Sequence, residues 1–117
     1  MDFTKISWDA SGSEIEAESF RRIDAEYTGR KDFSPEEWTV ARRLIHTTGD
    51  FSITENLVFR NNPISKCLNA LKKGALLYCD SNMIKAGISV PKLKKLNPDY
   101  SADKLTCRIA DQDIMKI

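Results

Sequence analysis

An α/β layered domain with a mainly parallel sheet is the fold class this sequence predicts, and three observations predict it. Helical apolar spacing bounded by capping or stop residues recurs three times, over residues 11–29, 34–49 and 64–74. Short runs of strand length stand after these helices, and one of them, Ala75-Leu76-Leu77-Tyr78-Cys79, is continuously apolar, as a strand buried on both faces reads. No internal repeat or low-complexity tract interrupts the alternation of helix and strand.

Taken in order, residues 1–10 have no clear period and are expected to form a short strand or an arm. Ser11 with Glu14, or in the next frame Ser13 with Glu16, offers a capping box, in which a hydroxyl and a carboxylate satisfy free backbone N–H groups. A first helix should follow, with Ile15, Phe20, Ile23 and Tyr27 as its apolar stripe, Ser19 beside the stripe and Gly29 as the stop. Ser34-Pro35-Glu36-Glu37 repeats the start signal with proline at the first helical position. In this second helix Trp38, Ala41, Ile45 and Thr48 share a face, while Arg42, Arg43 and His46 lie on or beside its edge, just before Gly49.

Leu57-Val58-Phe59 is a strand candidate closed by Asn61-Asn62-Pro63, and Ile64, Cys67, Leu68 and Leu71 mark a third helix. After the strand at 75–79 come the polar Asp80-Ser81-Asn82, a short helix from Met83 to Gly87, and a turn or helix from Val90 to Leu96. Asn97-Pro98 breaks the chain, Leu105 to Ile109 alternates as a last strand, and Ala110 to Ile117 reads as a polar tail.

The 117 residues fit one domain, 1–117, with one core. An apolar content of 41% with 30% charged residues is that of a soluble globular protein, and no apolar run reaches the roughly 20 residues of a membrane span. Nothing at the N-terminus reads as a secretory signal. Cys67, Cys79 and Cys107 show no CxxC pairing and are odd in number, which argues against a disulfide framework or a cysteine zinc site and suits a reducing cytoplasm. Net charge is +1 but uneven: residues 1–63 hold 8 basic and 12 acidic side chains, and residues 64–117 hold 10 and 5. The basic half could face an anionic ligand, although a solvated lysine-rich surface is the commoner use.

His46 is the only histidine. Histidine titrates near neutrality when unperturbed, so one at a helix end is the first candidate for proton chemistry, with a cap or a partly buried structural residue as the ordinary alternative. Arg43, three residues earlier, projects to the same side and could pair with a carboxylate, from this protein or from a ligand. Asp80 follows the expected parallel strand, where open α/β sheets place ligands, or else it caps the helix behind it. Phosphate loops, dinucleotide fingerprints, HExxH pairs and nucleophile elbows are missing, as are the basic and aromatic interleavings of nucleic-acid binders.

Several linked segments carry more than composition does. Ala41-Arg42-Arg43-Leu44-Ile45-His46-Thr47-Thr48-Gly49-Asp50-Phe51, Asn56-Leu57-Val58-Phe59, Ala70-Leu71-Lys72-Lys73-Gly74-Ala75, Cys79-Asp80-Ser81-Asn82-Met83-Ile84 and Ala86-Gly87-Ile88, preceded by Glu18-Ser19-Phe20 and Ile23, closely resemble the precorrin-8X methylmutase family in identity, order and spacing. The similarity runs from about Glu16 to Asp111 and corresponds to the N-terminal half of the family domain, whose members are nearly twice as long.

This resemblance implies a three-layer α/β/α fold, truncated relative to the family. It also implies an isomerase of cobalamin biosynthesis that moves a methyl group from C-11 to C-12 of precorrin-8, or of cobalt-precorrin-8, to give hydrogenobyrinate or its cobalt counterpart. His46 would be the catalytic acid/base, Ser19 and Arg43 would bind the tetrapyrrole substrate, and no metal or organic cofactor is implied. The expected partner is a second copy in a homodimer, or a chain supplying the other half, with no nucleic acid and no membrane involved. A non-enzymatic tetrapyrrole-binding or assembly module, or an inactive fragment, is the alternative.

Overall fold

The computed structural model describes residues 11–111, so the expectations for residues 1–10 and 112–117 lie outside the described residues. The described residues form two compact units, divided between Asn61 and Asn62.

The first unit is an antiparallel helix pair, α1 (Gly12–Glu26) and α2 (Pro35–Thr48), followed by a 3₁₀ turn over Phe51–Asn56. Of the two capping frames, Ser11 with Glu14 is the one that forms: the Ser11 hydroxyl accepts from the Glu14 N–H, and the Glu14 carboxylate accepts from the Ser11 N–H at 2.8 Å. Ser34 and Glu37 make the same reciprocal box at the start of α2, with Pro35 at a position that needs no donor. Ile23, Tyr27 and Ile45 are the buried centre, with Phe20, Trp38 and Ile53 packed around them, and Ala41 is fully buried where the helices approach. Burying Ile45 alone contributes about 1.5–3 kcal/mol.

Tyr27 is not in α1, as the stripe suggested, but caps its C-terminus in an extended conformation. Its ring turns into the core, and its hydroxyl donates to Thr54 Oγ1 at 2.9 Å. Gly29 is not the helix stop. A Cβ there would stand 2.7 Å from the Tyr27 hydroxyl oxygen and 2.8–2.9 Å from ring carbons, so the glycine leaves room for the tyrosine. Leu57-Val58-Phe59, expected as a strand, is irregular chain leaving the 3₁₀ turn. The Leu57 carbonyl accepts from Arg30 Nη1 at 2.7 Å, Val58 is exposed, and Phe59 meets the edge of Phe33. A guanidinium from 27 residues away has taken an acceptor that a neighbouring strand would need.

The second unit contains α3 (Pro63–Lys72), β1 (Leu77–Tyr78), α4 (Asn82–Gly87), α5 (Val90–Lys94), a 3₁₀ turn over Ala102–Lys104, and β2 (Leu105–Thr106). The strands pair in parallel, Leu77 opposite Leu105 and Tyr78 opposite Thr106, which gives the α/β character with a parallel sheet. Asn61 and Asn62 adopt left-handed conformations before Pro63, a use to which asparagine is suited. Gly74 (φ +77°) turns the chain from α3 toward β1. Three long-range bonds hold that turn: Lys104 Nζ donates to the Gly74 carbonyl, Asn97 Nδ2 to Lys72, and the buried Tyr100 hydroxyl to Ala75.

Both strands are shorter than the segments 75–79 and 105–109 suggested, and β1 is not buried on both faces. Cys79 and Leu105 are buried on one side, whereas Leu76 and Tyr78 are 75% and 67% exposed on the other. Among the described residues no helix is long and apolar enough to cross a membrane.

Candidate active site

His46 occupies the last turn of α2, which Gly49 closes in a left-handed conformation (φ +69°) with its N–H bonded to the Ile45 carbonyl at 2.7 Å. Because Ile45 is locked in the core at 2% exposure, the neighbouring imidazole is fixed at the edge of the helix that faces α1. There Ser19 Oγ lies 2.8 Å from His46 Nδ1 in a half-buried hydrogen bond. The Phe20 ring stands against the imidazole, centroids 5.0 Å apart and tilted by 53°.

Arg43, one turn before His46, donates from Nη2 to Glu16 Oε1 at 2.6 Å, and its guanidinium carbon lies 4.8 Å from the Phe20 centroid. Arg42 lies 4.6 Å from the same ring and donates to Asp24 Oδ2. The structure therefore brings Ser19, Arg43 and His46 together along one side of the α1/α2 pair, around Phe20.

The chemical capacity of this group follows from its bonds. A serine hydroxyl is both donor and acceptor, so Ser19 can donate to Nδ1 of the neutral ring or accept from Nδ1–H of the imidazolium. Because Nδ1 is engaged by Ser19, Nε2 is the nitrogen left for a ligand. The Arg43–Glu16 pair has side chains 52% and 41% exposed, and such pairs contribute only about 0–1 kcal/mol. Exchanging Glu16 for a ligand carboxylate is consequently inexpensive, while the face of Phe20 keeps the guanidinium in place.

Glu18, beside Ser19, belongs to a surface network. Hydrogen bonds from Arg21 and then Arg22 hold its carboxyl down at about 2.

A cavity of about 380 Å³ opens at the other end of the helix pair, lined by Asp24, Tyr27, Phe33, Trp38 and Arg42 together with basic side chains, and His46 is not among its walls. Asp24 there accepts from both Trp38 Nε1 and Arg42. The histidine group lies apart from that cavity, with Ser19, Phe20 and His46 each half-buried. Asp80 is exposed, and it is Ser81, accepting from the Ile84 N–H, that caps α4. Among the described residues no group of three His, Cys, Asp or Glu side chains could hold a metal ion.

The sequence reading missed the place of Glu16 as partner of Arg43 and treated Phe20 only as core. Glu16 sits at the spacing of a capping residue, which hid its link to a residue 27 positions away.

Comparison with known proteins agrees with the layout of these segments. A cobalt-precorrin-8 methylmutase from Leptospira interrogans is 38% identical over 105 residues, covering 90% of this chain and 45% of that protein. The precorrin-8X methylmutase of a Sinorhizobium species is 35% identical over 82 residues, 70% of this chain and 39% of its own length. A crystal structure of the Thermus thermophilus precorrin-8x methylmutase superposes with a TM-score of 0.65 at 39% identity, covering 73% of this chain and 41% of that one. The chain therefore spans less than half the length of these relatives. The sequence profile of precorrin-8X methylmutase matches residues 14–117, and the chain belongs to that family.

Proposed function

We propose that this chain supplies the acid/base part of a precorrin-8X methylmutase site, with His46 as the proton-handling residue and Ser19 and Arg43 engaging the tetrapyrrole. The 2.8 Å Ser19–His46 bond is the observation that carries this reading, because it engages Nδ1, orients the one imidazole in the chain and leaves Nε2 for a ligand. The reaction is an isomerisation: the bond from C-11 to the methyl carbon breaks as the bond from C-12 forms, and no atom is gained or lost. What the protein must contribute is a change of electron demand along the conjugated system. A proton from His46 Nε2, donated or shared at a ring C nitrogen, supplies it and eases the [1,5] shift.

Ser19 compensates the ring at Nδ1, and Arg43, trading Glu16 for a carboxylate on the macrocycle rim, sets the orientation. The substrate is precorrin-8 or its cobalt form, the compartment is the cytoplasm, and no cofactor takes part. The remaining walls come from a second copy or from the family length this chain does not span. Residues 1–117 act in this as one functional domain.

That same shortfall, 45% of the Leptospira relative, supports one other reading, a tetrapyrrole-binding module without turnover. Visible spectra separate the two. Precorrin-8 is added to the chain, alone and co-purified with the part of the Leptospira protein it does not match. Conversion to the corrinoid spectrum, lost in His46→Ala, supports the enzyme. A ligand-induced shift without conversion supports the binding module and overturns catalysis, and an unchanged spectrum overturns both.

A further inference from the structure

We infer that Cys79 and Cys107 form a cross-strand dithiol that closes to a disulfide by exchange with a small-molecule disulfide such as oxidised glutathione. The inference is independent of His46 and of the tetrapyrrole.

Strand register makes the pair, and no CxxC spacing in the sequence announces it. β1 and β2 run in parallel with Leu77 opposite Leu105 and Tyr78 opposite Thr106. The next residues along the two strands are Cys79 and Cys107, and the Cys79 N–H donates to the Thr106 carbonyl at 2.7 Å, which carries the ladder on to that step. Side chains alternate across a strand, so Cys79 shares a face with Leu77 and Cys107 shares a face with Leu105. Residues in register project to the same side of a sheet, which brings both thiols to one face. Neighbouring strands lie about 4.8 Å apart, inside the roughly 4.4–6.8 Å between Cα atoms that a disulfide spans.

Access sets the order of events. Both cysteines are free thiols, Cys107 half-buried and Cys79 only 3% exposed, so Cys107 is the one that meets the reagent. Its thiolate attacks one sulfur of oxidised glutathione; a bond from Cys107 to glutathione forms as the glutathione S–S bond breaks, and the first glutathione leaves with the Cys107 proton. Cys79 then attacks the Cys107 sulfur, and the second glutathione leaves with the Cys79 proton. The protein dithiol is oxidised, and the small disulfide is reduced to its thiols. The bridge braces strands that are each only two residues long. Cys67, exposed on α3, is the internal comparison.

The test is equilibration of the reduced chain, folded or in concentrated urea, with a mixture of reduced and oxidised glutathione, then alkylation and mass spectrometry of an unreduced tryptic digest. Cleavage after Lys66, Lys72, Lys73, Lys85, Lys104 and Arg108 leaves each cysteine on its own peptide. The folded chain is expected to give the Cys79–Cys107 cross-link in excess over either pairing with Cys67 by about tenfold or more, an excess that urea abolishes. In Cys79→Ala the glutathione adduct should accumulate on Cys107, and in Cys107→Ala the Cys79 thiol should stay free, with circular dichroism matching the parent's in both. A folded parent chain with glutathione on Cys67 but no Cys79–Cys107 cross-link, or with cross-links to Cys67 in equal amount, would overturn the inference.

Discussion

Thr54 is the point at which the site-bearing helix pair is most exposed to a single change of chemistry. Its side chain is 1% exposed; its hydroxyl accepts from Tyr27 at 2.9 Å and donates to the Phe51 carbonyl at 3.1 Å. Thr54→Val keeps the shape but leaves the buried Tyr27 O–H without an acceptor, and the cost is about 2–3 kcal/mol. Tyr27→Phe removes the donor while Thr54 still bonds to Phe51, so the loss is about 1 kcal/mol. The asymmetry is the prediction, together with a double variant less destabilised than the two singles summed, by about 1 kcal/mol.

Urea unfolding followed by circular dichroism checks it, with tryptophan fluorescence as a second probe, because Trp38 lies against Tyr27 at 4.6 Å. Midpoints should move with unchanged slopes. The reasoning fails if Tyr27→Phe costs as much as Thr54→Val, or if the two effects add.

Gly29→Ala forces the Tyr27 ring out of place and should destabilise more than Gly49→Ala, which meets nothing within 4 Å and suffers only left-handed strain of about 1–2 kcal/mol; thermal melts rank them. Glu18, held at about 2 against an ordinary 4.5, contributes stability that is fully present above pH 4.5 and is lost as pH falls toward 2. Melting temperatures of Glu18→Gln should therefore fall less than the parent's across that window, and the difference should shrink in salt because the group is exposed. Arg43→Lys keeps the charge but loses the planar fork, so KM for the tetrapyrrole should rise about tenfold with kcat little changed.

Local signals were the legible ones. Ser34, Pro35 and Glu37 announce the start of α2 because capping is settled within four residues, and Gly49 announces its end for the same reason. Ser11 and Ser13 were equivalent in sequence, and only the coordinates distinguish the frame. The strand expected at Leu57–Phe59 failed because its propensity was overridden by Arg30, whose reach no local window contains. The extent of β1 failed differently. A continuous apolar run predicts burial on both faces, and here one face has no cover among the described residues.

At the candidate site, Ser19 and His46 are 27 residues apart, and composition could never have joined them; the linked segments singled out both, and the packing of α1 on α2 puts them in hydrogen-bond contact.

The central claim is that the His46 imidazole, held by Ser19, moves the proton that releases the methyl shift. Single-turnover conversion of precorrin-8, by this chain joined to the remainder of the family domain, tests it most directly. His46→Ala should lower the rate by about a hundredfold or more while ligand binding persists. Conversion by that variant at the parent rate would contradict the account.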